Sequence, residues 1–153
     1  MKHDRNITQK KGGFMSDVQF IIWRVEYSVK VDKLDSQHRE IFEMINRLHW
    51  SIKENQQAQV VGTILSEMTG YMYSHFKDEE SLMLECQYPG LRVHKESHEA
   101  FKKRTHELIL KHERTFYGDI ASEVLEFLKT WWVSHILAMD KRYIPYLNKG
   151  TIN

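Results

Sequence analysis

The sequence has one cysteine, almost no net charge and no long apolar run. The single cysteine, Cys86, excludes an internal disulfide and favours a reducing compartment. No apolar run approaches the roughly 20 residues that a membrane-spanning helix needs. The N-terminus is basic, but no signal-peptide core follows it. We therefore expect a cytoplasmic protein without a membrane span.

The charge balance also gives no support for nucleic acid or a membrane surface as a partner. A formal charge of +1 gives no long-range field, so binding to nucleic acid or to a membrane surface has no electrostatic support. The 153 residues form one domain, long enough to bury a sizeable core. A hydrophobic content of 41% and a charged content of 28% are typical of a globular protein.

Only one stretch of the sequence resembles a β-strand. Residues 20–31 (FIIWRVEYSVKV) are rich in β-branched and aromatic side chains, but no second such stretch could pair with them. We therefore predict an extended N-terminal arm that packs Trp23 and Tyr27 against the remaining structure. Residues 1–19 are predicted to form a flexible N-terminal extension, and residues 20–153 the folded domain.

Apolar residues at spacings of three and four predict four helices. The first begins at the pair Asp35-Ser36, which we expect to cap it, and ends near residue 54. The next two span about residues 59–85 and then residue 91 to shortly before Tyr117. The last covers about residues 120–147, where Pro145 would end or kink it. The predicted fold is all-α, an up-down-up-down antiparallel four-helix bundle with an extended N-terminal arm.

Several polar residues occupy positions where the helical pattern predicts core residues. In the second helix, His75 and Glu79 lie four residues apart, about 40° from eclipsed on a helix, and continue an apolar stripe. A buried carboxylate is costly unless it is paired or binds a metal. The same analysis selects further histidines in the other three helices, namely His38, His94, His98 and His135.

The bundle topology brings these residues to one level. In an up-down-up-down bundle, the start of the first helix meets the end of the second, the start of the third and the end of the fourth. His38 is early in its helix, His75 is late, His94 is early and His135 is late. Unrelated core histidines would have no reason to cluster in this way. The alternative is an ordinary bundle with histidines in its core.

Asp140 is a further candidate at the same end. It follows His135 by five residues, which is about 140° around a straight α-helix. A π-type turn or a wide site would be needed to bring the two side chains together. Spacing alone therefore leaves its role open.

The number of candidate ligands indicates two metal ions. Five imidazoles and two carboxylates exceed what one ion takes. Two six-coordinate irons that share both carboxylates and one bridging oxygen would leave one open position, on one metal. Carboxylate-rich di-iron sites stabilise high oxidation states, whereas a histidine-rich site favours stopping at bound dioxygen.

The residues named so far resemble the hemerythrin family, and most closely its bacterial single-domain members, the bacteriohemerythrins. The resemblance runs from about residue 20 to residue 147. Its motifs are Trp23…Tyr27-Ser-Val, Leu34-Asp35-x2-His38, His75-Phe-x2-Glu79-Glu80-x2-Met83, Tyr88-Pro89-Gly90, His94-x3-His98 and Trp132-x2-His135-Ile136-x3-Asp140-x2-Tyr143.

The resemblance implies a non-haem di-iron centre with an oxo or hydroxo bridge. It implies that Glu79 and Asp140 bridge the two irons, and that dioxygen binds to the iron with only two histidines. Val133 occupies a position that is often leucine in relatives and is expected to line the dioxygen pocket. Lys30 stands where many relatives carry glycine. By the same resemblance, one iron is held by His94, His98 and His135, and the other by His38 and His75.

We therefore predict reversible dioxygen binding for oxygen storage, transport or delivery, and not an enzyme. An oxygen-consuming enzyme is the expected recipient of the dioxygen. The single domain, without an attached receptor or enzyme module, favours a carrier. The alternatives are an oxygen or iron sensor, or a di-iron redox enzyme that acts on nitric oxide or peroxide.

Overall fold

The computed structural model describes residues 19–115 and 120–147. Four α-helices make up most of this part: α1 (Asp32–Lys53), α2 (Gln57–Glu85), α3 (Leu91–Arg114) and α4 (Ala121–Ala138). Short 3-10 helices cover Val25–Tyr27 before α1, and Asp140–Arg142 and Ile144–Tyr146 after α4. No strand occurs among the described residues. The all-α prediction is confirmed.

The helices pack in the order expected of an antiparallel bundle. Helix α1 lies between α2 and α4, and α2 also packs on α3. Helix α3 meets α4 through the ring of Phe101, which contacts the rings of Phe127 and Trp131. The predicted apolar stripe of α1 is buried at Ile41, Phe42, Ile45 and Leu48, while Ile52 is half-buried.

Tight turns reverse the chain after α1 and after α2. Asn55 and Gln87 have φ angles of 55° and 53°, the left-handed conformation that often ends a helix. The amide after each residue closes the turn: Gln56 donates to the Ser51 carbonyl and Tyr88 to the Met83 carbonyl. In the second turn, a Cβ added to Gly90 would lie 2.5 Å from the end of the Tyr88 side chain, so a larger residue there would require the Tyr88 ring to move.

The start of α1 differs from the prediction. The helix begins at Asp32, and its first turn has no side-chain cap. Asp35 lies inside the helix, where its carboxylate accepts hydrogen bonds from the Ser28 hydroxyl, at 2.6 Å, and from the Val29 amide, at 2.8 Å. The predicted capping aspartate instead fastens the N-terminal arm to the bundle, because the arm offers it two donors.

The N-terminal arm packs as predicted, but it is not extended throughout. Its middle forms a 3-10 turn, and Lys30 adopts a φ of 64°. This left-handed conformation favours glycine, the residue that many relatives carry there. Trp23 and Tyr27 contact the ring of Phe42 at centroid distances of 5.8 and 5.0 Å.

Helix α4 is shorter than predicted. It ends at Ala138, well before Pro145, which lies in the last 3-10 helix. Spacings of three and four from Val124 and Leu128 predict that Trp131 and Ala138 face inward. In the structure Trp132 is buried instead, Trp131 is half-buried and Ala138 is exposed. The sequence pattern places the helix end too late because the segment contains no glycine and no proline before Pro145 to mark the break.

Two further findings concern the predicted absence of a membrane span and the predicted N-terminal extension. None of the described helices is long and apolar enough to cross a membrane. Residues 1–18, 116–119 and 148–153 lie outside the described residues. The predicted flexible extension falls almost wholly in the first of these segments, so the division at residue 19 stays a prediction.

Candidate metal centre

Seven buried polar side chains meet at one end of the bundle. Helix α1 supplies His38, α2 supplies His75 and Glu79, and α3 supplies His94 and His98. The remaining two are His135, from the last turn of α4, and Asp140, from the 3-10 helix that follows it. All seven side chains are almost completely shielded from solvent. The structure therefore brings together every metal-site residue predicted from the sequence.

Three of the histidines converge on one point. Nε2 of His135 lies 3.0 Å from Nε2 of His94 and 3.1 Å from Nε2 of His98. A metal–nitrogen bond of about 2.1 Å places two neighbouring ligand nitrogens of an octahedral ion about 3.0 Å apart. These three imidazoles and Glu79 form one group that could hold a metal ion. We call it the three-histidine position.

The other two histidines form a second group. His38 and His75 lie side by side, with ring centroids 4.8 Å apart, and form a potential metal site together with Glu79. We call this group the two-histidine position. It offers one imidazole fewer than its neighbour, so it is the group with room for an additional ligand.

Asp140 faces both positions. Its Oδ1 lies 3.0 Å from Nε2 of His135 and 3.3 Å from Nε2 of His94, while its Oδ2 lies 3.4 Å from Nε2 of His38. A carboxylate that turns one oxygen to each group can bridge two metal ions.

The end of α4 explains how Asp140 reaches this place. Met139 has φ −113° and ψ −57°, away from the helical φ of about −63°, and its amide makes the last bond to His135. A 3-10 turn alone would carry Asp140 further around the helix axis, since it turns more per residue than an α-helix. The change of direction at Met139 therefore brings the carboxylate inward, and no π-type turn is involved.

Glu79 serves both positions through one oxygen. Its Oε2 lies 3.1 and 3.3 Å from Nε2 of His98 and His94, and 3.9 Å from Nε2 of His75. Its Oε1 accepts a hydrogen bond of 2.9 Å from the buried hydroxyl of Tyr143. Tyr143 thus orients the shared carboxylate. The sequence motif includes this tyrosine, but spacing alone indicated no role for it.

Unsatisfied atoms support metal binding at this site. Among the described residues, no hydrogen-bond partner is found for Nε2 of His38, Nε2 of His75 or either carboxylate oxygen of Asp140. Buried polar atoms without partners are rare because they lose their hydration without compensation. Imidazole nitrogens and carboxylate oxygens are also suitable iron ligands. The residues present therefore fit a pair of metal ions.

The pKa values in the metal-free site follow from burial and charge. Burial lowers the pKa of His75 to about 3, so its imidazole is neutral and available to a metal. Burial also disfavours the charged form of His94, but the nearby carboxylates of Asp140 and Glu79, each 3.3 Å from its Nε2, outweigh it and raise the pKa to about 9. Burial opposes ionisation of Asp140, yet the attraction of His135 holds the pKa of this carboxyl well below its usual range.

Three ligand imidazoles are held by partners on their outer nitrogen. Nδ1 of His98 bonds Glu80 at 2.9 Å, Nδ1 of His75 bonds Gln37 at 2.9 Å and Nδ1 of His135 bonds Ser97 at 3.2 Å. Such bonds fix the ring orientation and turn Nε2 toward the metal. Spacing did not single out these partners, although Glu80 and Gln37 each adjoin a predicted ligand in the sequence.

Aromatic rings enclose the site. Phe76 stacks on His98 at a centroid distance of 3.8 Å, and Trp131 stacks on His135 at 4.1 Å. Trp132 is fully buried, and its ring lies 5.3 Å from that of His75 and 6.3 Å from that of His38. These rings keep water away from the ligands.

Val133, the predicted pocket residue, is half-buried and packs against the apolar core. The ring of its neighbour Trp132 contacts the rings of His38 and His75, the two histidines of the two-histidine position. A contact between Val133 and a bound dioxygen molecule stays a prediction.

The histidines left out of the predicted site lie elsewhere. His49 stacks on Phe20 at 4.1 Å, His106 is exposed, and His112 packs near Gly62. Cys86 is half-buried after α2, and burial raises the pKa of its thiol.

Comparison with known proteins agrees with this geometry. The family described as "Hemerythrin HHE cation binding domain" matches residues 29–147. The chain belongs to the hemerythrin family. The chain is 37% identical over 123 residues to the bacteriohemerythrin of Stenotrophomonas maltophilia, covering 80% of this chain and 78% of that protein. It is 32% identical to a hemerythrin of Sipunculus nudus, over 80% of this chain and 89% of the other.

Solved hemerythrin structures share the fold. A wild-type hemerythrin crystal structure superposes with a TM-score of 0.74 at 29% identity, covering 84% of this chain and 98% of that one. A crystal structure of a hemerythrin point mutant superposes with a TM-score of 0.76 at 28% identity, covering 85% of this chain and 98% of that one. The bundle described here is thus the hemerythrin fold over nearly the full length of these structures.

Proposed function

We propose that this hemerythrin-family chain binds dioxygen reversibly at a non-haem di-iron centre, for oxygen storage, transport or delivery. Hemerythrins bind oxygen and are not enzymes, and the chain is assigned to the same class. The observation that carries the proposal is the unequal division of five buried histidines between two positions that share two carboxylates.

The ligand assignment follows the two groups. One iron would be held by His94, His98 and His135, and the other by His38 and His75. Glu79 and Asp140 would be shared by both irons, which would also carry an oxo or hydroxo bridge. The distances between Nε2 atoms support the first set, and the two oxygens of Asp140, one turned toward each position, support the bridging role.

The bound iron pair supplies the electrons for reversible dioxygen binding, and the chain supplies a controlled environment. The aromatic wall excludes water, which favours release of intact dioxygen over its conversion to other products. Tyr143 and the Nδ1 partners hold the ligands in place. The two-histidine position has the smaller set of protein ligands, so it would leave room for dioxygen when the irons are bound.

The decisive experiment is anaerobic iron loading followed by absorption spectra through cycles of oxygenation and deoxygenation. Two irons per chain and a visible band that appears and disappears with oxygen support the carrier. Irreversible oxidation at first exposure would favour the sensor or the redox enzyme instead. A folded chain that takes up no iron would contradict the whole proposal.

A single substitution tests the two-histidine position. His75→Ala removes one of its two imidazoles, so we expect loss of dioxygen binding and loss of at least part of one iron, measured by metal analysis and absorption. His106→Ala, an exposed histidine on α3, is the matched control and should behave as wild type. Full retention of iron and dioxygen binding by His75→Ala would refute the ligand assignment.

We also propose that Val133 lines the dioxygen pocket. Its side chain is smaller than the leucine common in relatives, which leaves more room for entry and for water, and water access speeds autoxidation. Val133→Leu should therefore slow autoxidation severalfold, followed as decay of the oxygenated absorption band. Val93→Leu on the exposed face of α3 is the control. Equal rates for Val133→Leu and wild type would remove Val133 from the pocket.

We place the chain in the cytoplasm, delivering dioxygen to an oxygen-consuming enzyme. The single cysteine supports a reducing compartment. Fractionation of cells tests the location. Oxygen uptake by an added oxidase under limiting oxygen, with and without the loaded protein, tests delivery; no faster uptake would argue against it.

A further inference from the structure

The two metal positions differ in the group that bonds to the outer nitrogen, Nδ1, of a ligand histidine. At the three-histidine position, Nδ1 of His98 faces a carboxylate oxygen of Glu80, at 2.9 Å. At the two-histidine position, Nδ1 of His75 faces an amide oxygen of Gln37, also at 2.9 Å. The distances match, but the first acceptor is charged and the second is neutral.

The surroundings preserve this difference. The Glu80 side chain is 18% exposed, and its other oxygen lies 3.3 Å from the ammonium group of Lys95. Gln37 donates its amide hydrogen to Asp78, at 2.9 Å, which is itself paired with Lys33 at 2.8 Å. Asp78 therefore bonds to the Gln37 amide and to Lys33, and it makes no hydrogen bond to the His75 ring itself.

The remaining outer nitrogens do not cancel the asymmetry. Nδ1 of His135 meets the neutral hydroxyl of Ser97. Nδ1 of His38 and Nδ1 of His94 have no hydrogen-bond partner among the described residues. Glu80 is therefore the one carboxylate that bonds directly to the outer nitrogen of a ligand histidine in the described part of the chain.

A carboxylate that accepts the Nδ1 hydrogen makes an imidazole a stronger electron donor through Nε2. We propose that Glu80 and Gln37 are positioning residues that make the two irons electronically unequal. Glu80 strengthens His98 as a donor and favours the ferric state at the three-histidine position. Gln37 leaves His75 a weaker donor and favours the ferrous state at the two-histidine position. This inference rests on the proposed di-iron function.

The consequence concerns release of dioxygen. An iron with weak donors returns more readily to the ferrous state, so the neutral partner of His75 favours reversible binding at the position that takes the ligand. Release of intact dioxygen would have to return one electron to each iron, so the charged partner of His98 would strengthen binding by favouring the ferric state, and the neutral partner of His75 would limit that effect.

The test uses a reciprocal pair of nearly isosteric changes, Glu80→Gln and Gln37→Glu. The iron-loaded proteins are titrated under nitrogen with a reductant, and the ferric absorption gives the midpoint potentials. We expect Glu80→Gln to raise the midpoint potential of the iron at the three-histidine position. We expect Gln37→Glu to lower the midpoint potential of the iron at the two-histidine position. An outer-shell change alters metal affinity by about tenfold or more, and a tenfold change confined to one oxidation state corresponds to about 59 mV for one electron.

The control is Glu96→Gln, which removes a charge from the exposed face of α3, where Glu96 pairs with Arg92. It should leave the potentials unchanged. A shift equal to that of Glu80→Gln would overturn the proposal, because general charge would then be the cause. Shifts of the same sign in the reciprocal pair, or wild-type potentials in both, would also overturn it.

Structural damage is separated from electronic effect by a second measurement. The thermal unfolding of each metal-free variant reports structural damage: Glu80→Gln should unfold close to the wild-type temperature, whereas Gln37→Glu should unfold somewhat lower, because its new carboxylate faces Asp78. If Glu80→Gln retains no iron, Gln37→Glu decides alone: a lowered potential supports the inference and an unchanged one refutes it. Failure of the wild type to bind iron would instead refute the proposed function.

Discussion

The two ends of the bundle use the same four helices in different ways. At one end the helices meet through Leu48, Ile64, Leu108 and Val124, which are fully buried and apolar. At the other end they meet through imidazoles and carboxylates that are just as deeply buried. We call these the apolar end and the metal end. The apolar end stabilises the fold by excluding water, whereas the polar atoms of the metal end depend on one another and on bound metal.

The comparison shows how the molecule tolerates a costly site. Burial of seven ionisable side chains opposes folding unless they are paired or coordinated. The apolar end contributes roughly 25 cal/mol for each Å² of apolar surface that it removes from water. Burial of the apolar end therefore offsets part of the cost of burying the ligands at the metal end.

The largest expected effect is the loss of both irons from the metal end. Glu79 is shared by both positions, so Glu79→Ala should remove both irons, whereas loss of a ligand from one position should affect mainly one. Metal analysis after anaerobic loading measures this. Glu79→Gln keeps the shape and serves as a second variant, and Glu67→Ala, on the surface of α2, is the control. Retention of both irons by both Glu79 variants would disprove the bridging role.

The next largest expected effect is a loss of stability caused by a cavity at the apolar end. Leu48 is fully buried, so Leu48→Ala should lower the free energy of unfolding by about 2–5 kcal/mol, measured by urea denaturation. Iron binding should persist, because the cavity lies at the opposite end of α1. Leu84→Ala, at a residue 68% exposed, is the matched control and should change stability by no more than about 0.5 kcal/mol. Iron loss in Leu48→Ala would show that the two ends are coupled.

The smallest expected effect is a dependence of stability on pH, which arises from the histidines of the metal end. In the metal-free chain, the pKa of His94 is raised to about 9 from 6.5, so the folded state holds its proton more tightly than the unfolded state. This contribution is complete below pH 6.5 and is lost as the pH rises through about 9. The pKa of His75 is lowered to about 3, so the unfolded chain binds the proton more tightly, and stability falls as the pH drops below 6.5.

The metal-free protein should therefore be most stable near pH 6.5, as measured by urea denaturation between pH 5 and pH 10. Iron requires neutral imidazoles, so the decline above pH 6.5 should disappear in the loaded protein. His94→Gln should also remove that decline from the metal-free protein. The same decline in the loaded protein would mean that His94 is not a ligand.

Much of the site could be predicted because helical spacing is regular. His75 and Glu79 share a face four residues apart, and the bundle topology brings His38 and His94 to the same level. The position of Asp140 could not be predicted from spacing, because it depends on a break at Met139 that no proline or glycine marks. The spacing also predicts that Trp131 faces inward, whereas Trp132 is the buried residue, because two adjacent large aromatic residues can each face the core.

The sequence by itself determined the four helices, the level at which they carry histidines and the number of ligands, because these follow from helical periodicity and the order of the elements. Only the tertiary structure decided which nitrogens converge, how Asp140 turns an oxygen to each position and which partner stands behind each histidine. These features depend on distances between helices and on backbone angles at one residue. Contacts between residues far apart in the chain set both, and local pattern does not record such contacts.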